Sequence, residues 1–182
     1  MIKHLALLNL IVLGTVVTIT AQAQSTLNFF FSFTGNPAEY GQSSGTVTGE
    51  IFGLTDNATS SATDVVIDSF PSDINILGVS APLDATTWDV QYENSFTVVS
   101  GEITSASFAS YDAALAKQLG ICGYSGGAYN YLELSPENEI WVGNLDGMSG
   151  VTFTPAPVPE PSSLALSALG GFGGFLMYRR RK

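Results

Sequence analysis

This chain of 182 residues has one histidine, one cysteine and six lysines and arginines against sixteen carboxylates. The scarcity is sharper inside the chain than in the totals. Lys3 and His4 stand at one end and Arg179, Arg180, Arg181 and Lys182 at the other, which leaves Lys117 as the interior cation and Cys122 as the thiol. Without a histidine in the body, no Ser–His or Cys–His pair can form there, and the usual nucleophile–base machinery is excluded. Zinc lacks ligands for the same reason. Cys122 has no partner for an intramolecular disulfide. It reads as a small buried apolar side chain, with a reactive or intermolecular thiol as the alternative. The glycines from Gly123 to Gly127 have only Lys117 nearby, so no phosphate cradle is expected. No cofactor is expected, and the chain reads as a non-enzyme.

The ends are more informative. Lys3 and His4 precede an apolar stretch from Leu5 to Ile19, and Ala21-Gln22-Ala23 supplies a small-x-small pattern. This reads as a secretory signal peptide over 1–23, cut by signal peptidase after Ala23, with an uncleaved anchor as the alternative. At the far end, Leu164 to Tyr178 carries no charge. As a helix it spans about 22 Å, against a hydrocarbon core of about 30 Å. Gly170, Gly171, Gly173 and Gly174 weaken that helix, while flanking serines and arginine stems extend its reach. The expectation is a transmembrane helix over 163–178, with Arg179, Arg180, Arg181 and Lys182 as a basic cytoplasmic stub that stops transfer. Before it, Pro155, Pro157, Pro159 and Pro161 make 155–162 an extended linker with Glu160 held on a stiff stalk.

Pro159-Glu160-Pro161, a glycine-rich apolar stretch and a terminal basic cluster, in that order, resemble the PEP-CTERM sorting signal of bacterial exported proteins. The resemblance covers roughly the last 25 residues. It implies that an integral-membrane cysteine protease of the exosortase type recognises Pro159, Glu160 and Pro161 and removes the tail. The body is then released, or passed to the cell surface or extracellular polymeric matrix. The string from Gly45 to Ile67 also resembles a segment of uncharacterised proteins that carry this signal, as does the run from Asn94 to Phe108.

The body, 24–154, sets Lys117 against fifteen carboxylates, a formal charge of about −14. Such a surface repels nucleic acid and anionic membranes. Its pattern is β. Ser25–Phe33, Gly45–Leu54 and Ala62–Phe70 are rich in aromatic and β-branched residues and are separated by turn formers. Thr86–Tyr92, Asn94–Gly101 and Glu102–Ala109 read as successive strands. Tyr129–Leu134 and Ile140–Val142 read as a hairpin closed by Ser135-Pro136-Glu137-Asn138, and Gly150–Pro155 as a last strand. One short helix is expected over Tyr111–Gly120, with Ser110 or Asp112 as its N-cap and Gly120 ending it. The fold class is therefore all-β: an antiparallel sandwich or jelly-roll-like domain with one short helix, flanked by the signal helix and the transmembrane helix.

Carboxylates are the remaining acid–base resource. Glu50, Glu102 and Glu133 lie on expected strands, and a pair meeting across a groove would suit glycoside hydrolysis. Asp56, Asn57 and Asp64 flank a Ser/Thr loop whose oxygens suit calcium, although a solvated turn explains them as well. Trp88, Tyr92, Tyr129, Tyr131 and Trp141 offer flat faces for sugar rings, with core packing as the simpler reading. The leading function is an exported surface or matrix protein with a structural or interaction role, possessing membrane contact through its tail and extracellular polysaccharide as a partner class. A carbohydrate- or calcium-binding module comes second and a carboxylate glycosidase third.

Overall fold

The computed structural model describes residues 26–114, 116–123, 129–135 and 140–157. The signal segment, the PEP tripeptide, the expected membrane helix and the basic stub lie outside these residues. Among the described residues no helix is long and apolar enough to cross a membrane.

Among the described residues, eleven strands form two antiparallel sheets around one apolar core. They are β1 (Thr26–Thr34), β2 (Thr46–Thr55), β3 (Ala58–Ser60), β4 (Asp64–Ser69), β5 (Leu83–Asp84), β6 (Val90–Val99), β7 (Glu102–Asp112), β8 (Lys117–Gly123), β9 (Tyr129–Leu134), β10 (Trp141–Asn144) and β11 (Val151–Pro155). One sheet runs β11-β1-β2-β4-β5 and the other β10-β9-β8-β7-β6-β3, the latter largely a meander. Period-two alternation decides what faces inward. Phe29, Phe31 and Phe33 of β1 are buried, and Phe30 between them is exposed. Val47, Gly49 and Ile51 of β2 are buried as their alternation predicts. Across the core, Phe96, Phe108, Leu119, Ile121, Leu132 and Leu134 complete the cluster. Each such side chain contributes about 1.5–3 kcal/mol on burial.

Bulges explain where the alternation fails. The β6–β7 register shifts between Thr97 and Val98, which leaves Thr104 as an extra residue. Ile103 and then Ala106 and Phe108 therefore all reach the core. Thr86–Tyr92 and Asn94–Gly101 are not two strands. Ala85–Thr87 is a 3-10 turn capped by Asp84, and Val90–Val99 continues as one strand through a second bulge between Gln91 and Glu93.

The helix expected over 111–120 does not form. β7 runs on through Asp112, and β8 begins at Lys117. Its residues have good helix propensity, but tertiary pairing overrides that. As a strand, β8 turns Lys117, Leu119 and Ile121 into the interior between β7 and β9. Ser110, expected as a cap, donates its hydroxyl to Ala85 O at 2.6 Å. Lys117 Nζ pairs with Asp112 Oδ2 at 2.9 Å and sits 5.3 Å above the Trp88 ring.

The sheets are tied at two places. At one, the Asp56-Asn57 turn passes the chain from β2 in one sheet to β3 in the other. Asp56 Oδ1 accepts from Gly101 N–H (2.9 Å) and Asn57 Oδ1 from Ser100 N–H (3.1 Å). This clasps the β6–β7 hairpin, whose two turn residues both have positive φ, 53° and 80°. At the other, two buried asparagines share hydrogen bonds. Asn130 Nδ2 donates to Asn144 Oδ1 (3.0 Å) and Gly147 O (2.7 Å). Asn144 Nδ2 donates to Gly150 O and, across to β1, to Thr34 O, both at 3.0 Å. Asn130 Oδ1 accepts from Cys122 N–H at 3.0 Å, and Asn144 Oδ1 also accepts from Asp146 N–H at 3.2 Å.

Asn144→Ala removes one partner from the Asn130 amide and the side-chain partner of the Thr34 and Gly150 carbonyls, so a loss of about 2–4 kcal/mol in urea unfolding is expected. Adding Asn130→Ala should cost much less than a second independent loss, because the two side chains are mutual partners. Strict additivity in that double-mutant cycle would contradict the shared network.

Candidate functional site

The outer face of the six-stranded sheet departs from the polar surface usual for a sheet with one buried side. Along β9, Asn130, Leu132 and Leu134 face inward, so Tyr129, Tyr131 and Glu133 point outward, and on β10 Trp141 and Gly143 lie beside them. The loop joining β1 to β2 wraps the edge of β10. Asn36 N–H donates to Gly143 O (2.7 Å), Gln42 N–H to Trp141 O (2.9 Å), and Trp141 N–H to Gln42 Oε1 (2.9 Å). These bonds cover an edge that would otherwise invite another strand. They also lay Tyr40 over Gly143, where a Cβ would stand 3.0 Å from the Tyr40 ring.

Three half-buried rings meet there. The Tyr40 centroid lies 5.2 Å from that of Tyr129 and 5.7 Å from that of Trp141, both pairs tilted. Gly41 makes the approach possible, since its φ is +86° and a Cβ would fall 2.9 Å from Trp141 O. Tyr131, on the same face, is buried with its ring over Gly120, where a Cβ would lie 2.2 Å from it. Glu133 is buried as well, with its Oε1 3.2 Å from the Ser135 hydroxyl. Burial, and then the neighbouring Tyr129 and Glu133, push the Tyr40 phenol above its usual range, so it stays protonated and able to donate. The Trp141 indole N–H is covered and lacks a hydrogen-bond partner among the described residues.

The five aromatic candidates thus divide. Tyr129, Tyr131 and Trp141 come together. Trp88 is core, and Tyr92 is 58% exposed away on β6. Tyr40 was not legible as their neighbour, since the loop that carries it meets Trp141 across 99 positions of sequence. The carboxylates divide too. Glu50, between inward Gly49 and Ile51, is on the outer face of the five-stranded sheet, whereas Glu133 is on that of the other sheet. Glu102 lines a separate cleft of about 380 Å³ with Phe29, Ile103, Met148, Val151 and Phe153. Asp56 and Asn57 spend side-chain oxygens on the Ser100-Gly101 turn, and Asp64 lies in β4 opposite Phe52. Among the described residues, no group of three or more His, Cys, Asp or Glu is placed to hold a metal ion.

Cys122 stands in a bulge of β8 with φ 49°, its Sγ 3.6 Å from Asn130 Oδ1. Burial pushes the thiol up from 9.0 to about 11. Ala21, Ala23, Pro159, Glu160, Pro161 and the four terminal cations fall outside the described residues.

Residues 157–182 match the PEP-CTERM protein-sorting motif. That motif indicates an exported protein targeted to exosortase, a membrane protein that processes it. No curated protein and no solved structure matches the chain.

The thiol gives a direct test of the burial on β8. At neutral pH about a hundredfold less thiolate is expected than for an unperturbed cysteine, so alkylation by iodoacetamide should be slower by a similar factor until the protein is unfolded. Because the folded value is the higher one, the stabilisation is present below pH 9 and is lost as pH rises towards 11. Cys122→Ala should therefore flatten the fall in melting temperature over that window. An unchanged alkaline limb and rapid native-state alkylation would contradict the assignment.

Proposed function

We propose that this protein is a structural or interaction component of the bacterial cell surface or extracellular matrix, exported behind a cleaved signal peptide and freed from the membrane by removal of its tail. The observation that carries the reading is where the sorting motif begins. Among the described residues, the last backbone tie of this end to its sheet is Ala156 N–H to Asn28 O at 2.8 Å, and the motif starts at the next residue. The strand therefore hands the chain directly to the processing signal, with nothing of the folded body consumed by it.

The chemistry of the body supports a non-catalytic role. Its one interior cation is committed to Asp112 and Trp88, and Glu50 and Glu133 lie on opposite outer faces, which keeps those two from acting as the acid and base of one site. A strongly acidic, apolar-cored body remains soluble outside the cell and is repelled by anionic membrane once its tether is gone.

Replacing Glu160 with alanine in the native host tests the proposal. Wild-type protein should partition to the surface or extracellular fraction, and the Glu160→Ala protein should accumulate in the inner membrane with its tail attached. Equal partitioning of the two would overturn the reading.

A further inference from the structure

We propose that Tyr40, Tyr129 and Trp141 form a stacking platform for an uncharged polysaccharide on the outer face of the six-stranded sheet. The inference rests on the extracellular reading above and names the partner class of that body. The rings lie on the face of β9 and β10 turned away from the core, and they remain partly exposed. Core packing therefore does not explain them. They come from three separate elements, brought to within 5.2 and 5.7 Å of one another.

The arrangement is held before any ligand arrives. Hydrogen bonds between Gln42 and Trp141 fix the loop to β10, and Gly41 and Gly143 leave room that any side chain would close. Tyr131 shares that face and is buried with its ring against Gly120. Preorganised rings lose little entropy on binding, which suits repeated weak contacts along a polymer. Pyranose rings present apolar C–H faces to stack on aromatic faces, and their hydroxyls reach the phenol oxygens at the edges.

Charge selects among glycans. The interior sequence carries a formal charge of about −14, and its one cation, Lys117, is buried in an ion pair. Anionic polysaccharides are repelled. The Glu133 carboxylate beside the rings is 4% exposed, so it offers no accessible counter-charge for an amino-glycan. With no accessible charge among the platform residues themselves, an uncharged polymer fits best.

The test is native affinity electrophoresis of the full chain, purified in detergent, through gels containing hydroxyethyl cellulose, laminarin or galactomannan, with alginate as the anionic control. At least one neutral polymer should retard the protein and alginate should not. Tyr129→Ala and Trp141→Ala should each weaken retardation about tenfold, while Tyr92→Ala on the exposed part of β6 should leave it unchanged. Should Trp141→Ala fail to fold, wild-type fluorescence answers the same question. Trp141 emission should shift and saturate with the retarding polymer, because Trp88 is buried in the core. No retardation by any neutral polymer, retardation by alginate alone, equal retardation of wild type and Tyr129→Ala, or unchanged emission would each overturn the platform. Tail processing is unaffected by any of these outcomes, so this inference and the sorting reading fail in different assays.

Discussion

Two asparagines hidden between the sheets hold this fold closed. An amide in an apolar interior is costly unless its donors and acceptor are all met, and Asn130 and Asn144 meet that condition largely with each other and with backbone. The bond from Asn144 to Thr34 O joins β10 of one sheet to β1 of the other. Hydrophobic contact brings the two layers together without fixing their alignment, and the directional bonds supply the alignment. The Asp56-Asn57 turn does the same work at a second place, where the chain itself changes sheets.

The outer surface follows from that closure. Thr34, which accepts from Asn144, is the last residue of β1, and the loop that wraps β10 begins at the next residue. Fixing Thr34 against β10 thus fixes where Tyr40 lands. Cys122 belongs to the same region. Its amide and thiol both face Asn130 Oδ1, which holds a non-glycine residue at positive φ in a strand, and burial keeps the thiol in its neutral form.

Much of the strand content was legible because alternation is a local property. Phe29, Phe31 and Phe33, or Val47, Gly49 and Ile51, announce their inward face within a few residues. Three features were not. The segment from Tyr111 to Gly120 has helix-forming composition, and only the pairing of β8 with β7 and β9 makes it the end of one strand and the start of the next. Bulges at Thr97/Val98 and Gln91/Glu93 shift the period by one, which pattern reading mistakes for irregularity or a strand break. The aromatic site depends on Tyr40 meeting Trp141, a long-range contact with no local signature. The C-terminal signal was the most legible part of the chain, since tripeptide, apolar run and basic cluster are linear features.

An acidic β body and a PEP-CTERM sorting motif are thus joined in one chain. The intact mass of the wild-type protein recovered from the extracellular fraction of its host tests that union most directly. A species beginning at Gln24 and ending between Pro157 and Ser162 is the predicted result. A species that still ends at Lys182 would contradict it, and the body would then be a permanently tethered surface domain.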